Sequence, residues 1–202
     1  MITSMCNSYE HTIVITNRHL VQGDFLEQLE KVTKLHPHAL ILREKDLTDD
    51  AYESLAKKVF DLCKREDITC FLHTKIEIAR KIGCQNIHLS IPVLKGLSET
   101  EKKALTEDFC EISISCHSME DVEIAMAGGA TQIILGTIFE TECKKGVLGK
   151  GVEFVREICQ KCPLPVYAIG GMNLQRLPLV IDAGAAGCCM MSGFMQTTKP
   201  LQ

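Results

Sequence analysis

The sequence predicts a single closed (β/α)8 barrel, a TIM barrel of eight parallel strands alternating with helices, and three observations carry that expectation. Eight short apolar or β-branched runs recur along the chain with amphipathic segments between them, the pattern of parallel strands joined by crossover helices. Alternation alone would fit an open doubly wound sheet equally well, but a count of eight favours closure. Three passages also share one punctuation, a helix that stops at a glycine and a strand that opens shortly after it. They are Gly83-Cys84-Gln85-Asn86, Gly129-Ala130-Thr131-Gln132 and Gly184-Ala185-Ala186-Gly187, and each first glycine suits a left-handed helix C-cap.

The first strand is predicted over residues 11–16, where Ile13, Val14 and Ile15 form a β-branched run, and the first helix over 24–35. Residues 39–42, Ala-Leu-Ile-Leu, are the second strand, followed by a helix over 48–65 that opens on the capping residue Thr48. Strand three, 69–73, leads to a helix over 75–82, and strand four, 86–89, to one over 98–108. Strand five, 112–116, passes at the capping residue Ser118 into a helix ending at 127. Strand six, 132–135, is followed by the long loop 136–150 and a helix over 151–161; strand seven, 165–169, by a helix over 174–182; strand eight is 187–191. No low-complexity or Pro/Gly-rich linker divides the chain, so residues 1–202 are expected to form one domain, with 1–10 and 197–202 as loose ends.

Composition narrows the function. With 202 residues, 46% of them hydrophobic, the chain can bury one sizeable core. A formal net charge of -4 and the lack of any lysine/arginine run argue against a nucleic-acid partner. The longest apolar stretches fall far short of the roughly 20 residues needed to cross a bilayer, so no membrane span is expected. The first seventeen residues lack a basic start, and Glu10 and His11 interrupt their apolar stretch, which argues against a signal peptide and for the cytoplasm. Eleven cysteines is an odd number, and Cys70, Cys116, Cys188 and Cys189 lie within apolar runs, so they read as reduced core residues. Cys159 and Cys162 form a Cys-x-x-Cys near the end of a predicted helix, with no second pair at zinc-finger spacing, so metal or redox work is the minor reading.

In a barrel of this kind functional residues sit just past the C-terminal strand ends. Strand seven is followed by Gly170-Gly171 and strand eight by Ser192-Gly193. Glycines there would let backbone N–H groups approach an anion at the usual phosphate position of the fold, aided by a helix starting near Ser192; two ordinary tight turns are the rival reading. Arg43 and Lys45, after strand two, would aim two cations at one point if that strand continues, against the rival of a solvated charge cluster. The loop 136–150 is rich in glycine and lysine and is expected to be a mobile basic flap carrying Thr141, Lys144 and Lys145, with Cys143 near the mouth. Of three histidines at or near the active face, His117 directly follows strand five and could exchange protons near neutral pH. His88 lies within strand four and reads as a hydrogen-bonded core group; His73 ends strand three.

With these residues assembled, the chain resembles the thiamine phosphate synthase superfamily from residue 13 to 193. The resemblance rests on Leu42-Arg43-Glu44-Lys45, Ser115-Cys116-His117-Ser118, the segment 136–146, Ala168-Ile169-Gly170-Gly171-Met172 and Met191-Ser192-Gly193. In the synthases an Asn-Asp pair ends strand three and a Gly-Gln-(Asp/Glu)-Asp segment follows strand four, supplying carboxylates to the magnesium that binds pyrophosphate. Here the matching residues are His73-Thr74 and Ser90-Ile91-Pro92-Val93. A threonine hydroxyl and a valine do not replace two anionic ligands of a hard cation, so no metal site is expected. What remains is similar to the sister branch, the TenI-type thiazole tautomerases.

That resemblance implies an isomerase of thiamine biosynthesis that shifts a proton to convert a non-aromatic carboxythiazole phosphate into its aromatic isomer, with no metal or redox cofactor. It implies His117 as the acid/base group, Arg43, Lys45, Ser115, Thr141 and Lys144 as substrate contacts, and Gly170, Gly171, Met191, Ser192 and Gly193 as the phosphate site. The expected partner is therefore a small phosphorylated thiazole, and the sequence is compatible with a homo-oligomer. Two alternatives stay open: a thiamine phosphate synthase that holds its metal differently, and a non-catalytic barrel that binds a thiamine precursor and regulates other proteins.

Overall fold

The computed structural model describes residues 8–141, 146 and 148–196. Eight parallel strands close on themselves in chain order: β1 Thr12–Ile15, β2 Ala39–Leu42, β3 Thr69–His73, β4 Asn86–Ser90, β5 Glu111–Cys116, β6 Gln132–Gly136, β7 Val166–Ile169 and β8 Gly187–Met190. Closure is visible in the register, since Ile13 pairs with Ala39 on one side and with Cys189 on the other. The barrel expectation therefore holds, with strand ends displaced by at most one residue from those read in the sequence.

The crossovers are α1 Phe25–Thr33, α2 Asp49–Arg65, α3 Ile76–Ile82, α4 Ile91–Gly96, α5 Glu99–Asp108, α6 Met119–Ala127, α7 Gly151–Lys161 and α8 Leu177–Asp182, with the single-turn α9 Ser192–Met195 after β8. The starts of α1, α2, α5 and α6 are set by side chains that accept from backbone N–H groups left without an intrahelical partner. Thr48 caps α2 through the Ala51 N–H at 3.4 Å and Ser118 caps α6 through Asp121 at 3.1 Å. The three punctuating glycines take positive φ, 72° at Gly83, 85° at Gly129 and 101° at Gly184, where a side chain would be strained. The sequence reading missed α4, and residues 1–10 are not uniformly loose. Residues Ser8–His11 form a 3-10 turn, and Tyr9 is buried with its ring 5.9 Å from that of Phe194.

Two cores follow from the period-two alternation of the strands. Outward residues such as Val14, Leu40, Leu72, Ile87, Ile114 and Leu135 pack beneath the helices. Inward residues Ile13, Ile15, Ala39, Ile41, Phe71, Ile134, Tyr167 and Cys189 fill the barrel. That interior is uneven. β1, β2, β7 and β8 fill it with apolar groups, whereas β4 and β5 turn His88, Ser113 and Ser115 inward.

The nine described cysteines are free thiols, seven of them buried. Burial pushes Cys116 and Cys188 up to about 12 and Cys159 to about 11, so these thiols stay protonated at neutral pH. Cys162 follows α7 with its Sγ 3.8 Å from the Leu164 carbonyl. Among the described residues, no helix is long and apolar enough to cross a membrane.

Candidate active site

The strand ends meet at one mouth, and its features derive from β5–β6, β7–β8 and β2–β4. On the first, β5 stops at Cys116 and Ser118 caps α6, which leaves His117 as the exposed residue between them. Its backbone N–H donates to Asp121 Oδ2 at 2.7 Å, and its ring Nδ1 lies 2.6 Å from the Gly136 carbonyl oxygen at the end of β6. A carbonyl only accepts, so Nδ1 carries the proton and a neutral ring presents its lone pair at Nε2. Gly136 cannot carry a side chain, because a Cβ there would lie 2.4 Å from Ile169 Cγ2. Lys150, over the Phe154 ring, donates to the His117 carbonyl and holds the residue from the other side.

At the end of β7, Gly170 and Gly171 have φ of 102° and 61°. The reason for these glycines differs from the one read in the sequence. An added Cβ would meet Thr137 Cγ2 at 2.4 Å from Gly170 and the Glu140 carbonyl oxygen at 2.5 Å from Gly171. Both are required by packing against the loop after β6, whether or not a ligand is bound. Arg176 adds to that packing, donating to the Gly171 carbonyl while its guanidinium lies 4.6 Å from the Phe139 ring. Gly193 is the opposite case, since a Cβ there would meet nothing within 4 Å. Ser192 and Gly193 open α9, and the first N–H groups of a helix have no intrahelical acceptor. A single turn contributes donors here and little dipole. Met191 precedes it, half-buried.

The β2–β4 side is built from charged and polar side chains. Strand β2 ends at Leu42, so the extended path assumed for Arg43 and Lys45 is not followed; Arg43 is half-buried and Lys45 exposed. Their positive charges still converge, since both act on the buried rings of His73 and His88. Between them Glu44, 2% exposed, accepts from the Thr16 hydroxyl at 2.7 Å and from Arg18 Nη1 at 3.1 Å. A cavity of about 280 Å³ opens here, lined by Glu44, Lys45, His73, Thr74, Lys75, Ser90 and Val93. His73 stacks on His88 at 5.3 Å. His88 is satisfied on both sides, Nδ1 with Ser113 Oγ and Nε2 with Ser115 Oγ at 2.9 Å each, as expected of a core histidine. Ser115, read as a substrate contact, is thus first a partner of His88.

Burial and the cations Lys45 and Arg43 push His73 down to about 3, and burial holds His88 well below its usual range, so both rings are neutral. The magnesium implied by the resemblance does not fit this donor set. Glu44, the cavity's one carboxylate, is already committed to Thr16 and Arg18, and two ammonium groups face the same space. Among the described residues no cluster of three or more His, Cys, Asp or Glu could hold a metal ion.

The structure thus brings His117, Arg43, Lys45 and Ser115 to one mouth with Gly170, Gly171, Met191, Ser192 and Gly193. Thr141 is half-buried in the loop after β6, whereas Lys144, Lys145 and Cys143 lie outside the described residues. The sequence reading missed Glu44 as a buried anchor and His73 as a cavity wall. A hint of the latter was available, because His73 shares the inward parity of Phe71 on β3.

A family profile described as thiamine monophosphate synthase matches residues 12–194. A thiamine-phosphate synthase of Coprothermobacter proteolyticus is 30% identical over 154 residues, covering 76% of this chain and 72% of that protein. One of Clostridium acetobutylicum is 28% identical over 195 residues, covering 95% and 89%. Among solved structures, a thiamine phosphate pyrophosphorylase from Pyrococcus furiosus superposes with a TM-score of 0.81 at 22% identity, covering 95% of this chain and 90% of that one.

Proposed function

This chain belongs to the thiamine monophosphate synthase family, a family of enzymes of thiamine biosynthesis, and from that premise we propose that it is the family's isomerase type, a thiazole tautomerase. The observation that carries the reading is the pairing of His117 Nδ1 with the Gly136 carbonyl, which leaves Nε2 of the neutral ring as its proton acceptor. The phosphate of a non-aromatic carboxythiazole phosphate would rest on the backbone at Gly170, Gly171, Met191, Ser192 and Gly193. Its carboxylate would face Arg43, Lys45 and Lys144, with Ser115 and Thr141 at its flanks. Nε2 removes the proton from the ring carbon, and the imidazolium returns it to the exocyclic carbon. The atoms balance within one substrate, and aromatisation supplies the driving force. The protein contributes alignment and one titrating group.

The names of the relatives favour a second reading, coupling of a pyrimidine diphosphate to a thiazole phosphate with loss of pyrophosphate. Thr74 and Val93, where the synthases carry aspartates, argue against it. Two assays on the same preparation separate the readings. With carboxythiazole phosphate alone we expect the aromatic ring's absorbance to grow above background. Pyrophosphate release from the two half-substrates with magnesium, and no aromatisation, would establish the synthase instead. Neither reaction, with thiazole binding retained, would point to a binding protein.

A further inference from the structure

Strand β2 ends on two hydroxyl groups that belong to other parts of the chain. In register Leu42 pairs with Leu72, and in a parallel ladder the next rung runs from the His73 N–H to the Leu42 carbonyl. The Tyr52 hydroxyl, reaching in from the first turn of α2, bonds to both of those groups. It donates to the Leu42 oxygen at 2.6 Å and accepts from the His73 N–H at 3.2 Å. Tyr52 is 1% exposed, and burial pushes its phenol well above the usual range, so the hydroxyl keeps its proton and this polarity. On the other edge of β2, the Ile41 carbonyl still takes a ladder bond from the Thr16 N–H at 3.1 Å. The Arg43 N–H that follows goes instead to the Thr16 hydroxyl at 2.9 Å, and that hydroxyl donates to Glu44 Oε1 at 2.7 Å. Past these two oxygens the chain buries Glu44 and leaves Arg43 half-buried and Lys45 exposed.

A phenylalanine ring would fill the same core space beneath α2, so packing does not account for the Tyr52 hydroxyl. Nor does the need to satisfy buried polar groups, since the two groups it serves are each other's partners in a continued ladder. We propose that Tyr52 is a positioning residue: its hydroxyl stands in for the rung between Leu42 and His73, ends the β2–β3 ladder there, and so sets where Arg43 and Lys45 stand at the mouth. Thr16 fixes the same turn from the β1 side. Without the Tyr52 hydroxyl the ladder gains a rung, β2 runs on through Arg43, and both cations are carried to new positions. His117 follows β5, three places round the barrel from β2, and keeps its own. Cations that hold the substrate equally before and during reaction contribute uniform binding, so displacing them raises KM and spares kcat. A merely structural role gives the reverse, because loss of folded protein lowers the apparent kcat at an unchanged KM. The inference rests on the tautomerase reading for its kinetic arm alone.

Tyr52→Phe in the full-length protein is the test. In ¹³C,¹⁵N-labelled protein we expect no scalar coupling across a His73 N–H to Leu42 carbonyl hydrogen bond in the wild type, and its appearance in Tyr52→Phe. With the non-aromatic carboxythiazole phosphate as substrate, KM should rise about tenfold while kcat stays within about twofold. Replacing Tyr52 by para-aminophenylalanine, which restores a donor at the same place, should bring KM back toward the wild-type value. Thr16→Val, which releases the turn from its other edge, should raise KM in the same direction and decides the matter if Tyr52→Phe does not fold. A Leu42–His73 coupling already present in the wild type, or an unchanged KM in whichever variant folds, would overturn the proposal. If the wild type aromatises nothing, the tautomerase reading fails, and the coupling alone decides the role of Tyr52.

Discussion

The two rims of the mouth are built by opposite means. The β7–β8 rim is made of backbone, and its glycines at 170 and 171 are fixed by packing against Thr137 and Glu140. The β2–β4 rim is made of side chains, with lysines, a committed carboxylate and a histidine whose Nδ1 has no hydrogen-bond partner. A backbone site is shaped before any ligand arrives and carries no net charge. A side-chain site holds a field that salt can screen and substitution can rewrite. His117 stands between them, a side chain oriented by a main-chain carbonyl.

The largest expected effect is at that intermediate point. His117→Ala should lower aromatisation on the order of 100-fold or more while phosphate-dependent ligand binding persists; single-turnover absorbance and calorimetry on one sample measure both. Equal loss of the two would move His117 into the binding machinery.

Next, Gly171→Ala should destabilise the fold by about 1–3 kcal/mol in urea unfolding, since its Cβ would strike the Glu140 carbonyl in a backbone that already has positive φ. A neutral result would break the claim that packing fixes this rim.

The histidine side of the contrast predicts a pH dependence. His73 is held at about 3 against an ordinary 6.5, so between those values the unfolded chain binds a proton that the folded chain does not. Its contribution to stability is therefore complete above about pH 6.5 and is lost as the pH falls toward 3. Urea midpoints should drop more steeply over that acid range in the wild type than in His73→Gln, with His88 contributing the residual slope. Parallel slopes would show that His73 is not held neutral by the fold.

The smallest expected effect is the sharpest comparison. Gly193→Ala has open space for its methyl group, so stability should change by no more than about 0.5 kcal/mol. Phosphate binding should nonetheless weaken, because ligand approach is the remaining use of that glycine. A calorimetric titration with inorganic phosphate decides it.

These contrasts also explain what was legible in the sequence. The strands were readable because inward and outward positions of a barrel are both mostly apolar, and Ile13-Val14-Ile15 or Ala39–Leu42 cannot be much else. Helix α4 was not, since six residues holding Pro92 and Gly96 carry no amphipathic period. Gly170 and Gly171 were found by position, but the crowding that requires them comes from a loop some thirty residues away and leaves no local trace. Glu44 looked like one more surface charge between Arg43 and Lys45. Its burial depends on Thr16 and Arg18, which meet it only once β1 lies beside β2. His117 was legible because the end of a strand places a residue at the mouth whatever its type. Its tautomer was not, because the acceptor belongs to the next strand.

That acceptor has one more consequence. A main-chain carbonyl is encoded by no codon, so no single substitution can delete the group that orients His117. Substitutions at Gly136 can displace it only by disturbing the barrel wall. The rim that carries Lys45, His73 and Lys75 has no such insurance and can be respecified one residue at a time. The molecule thus orients His117 with a group that mutation reaches least, and lines the opposite rim with groups that mutation reaches most.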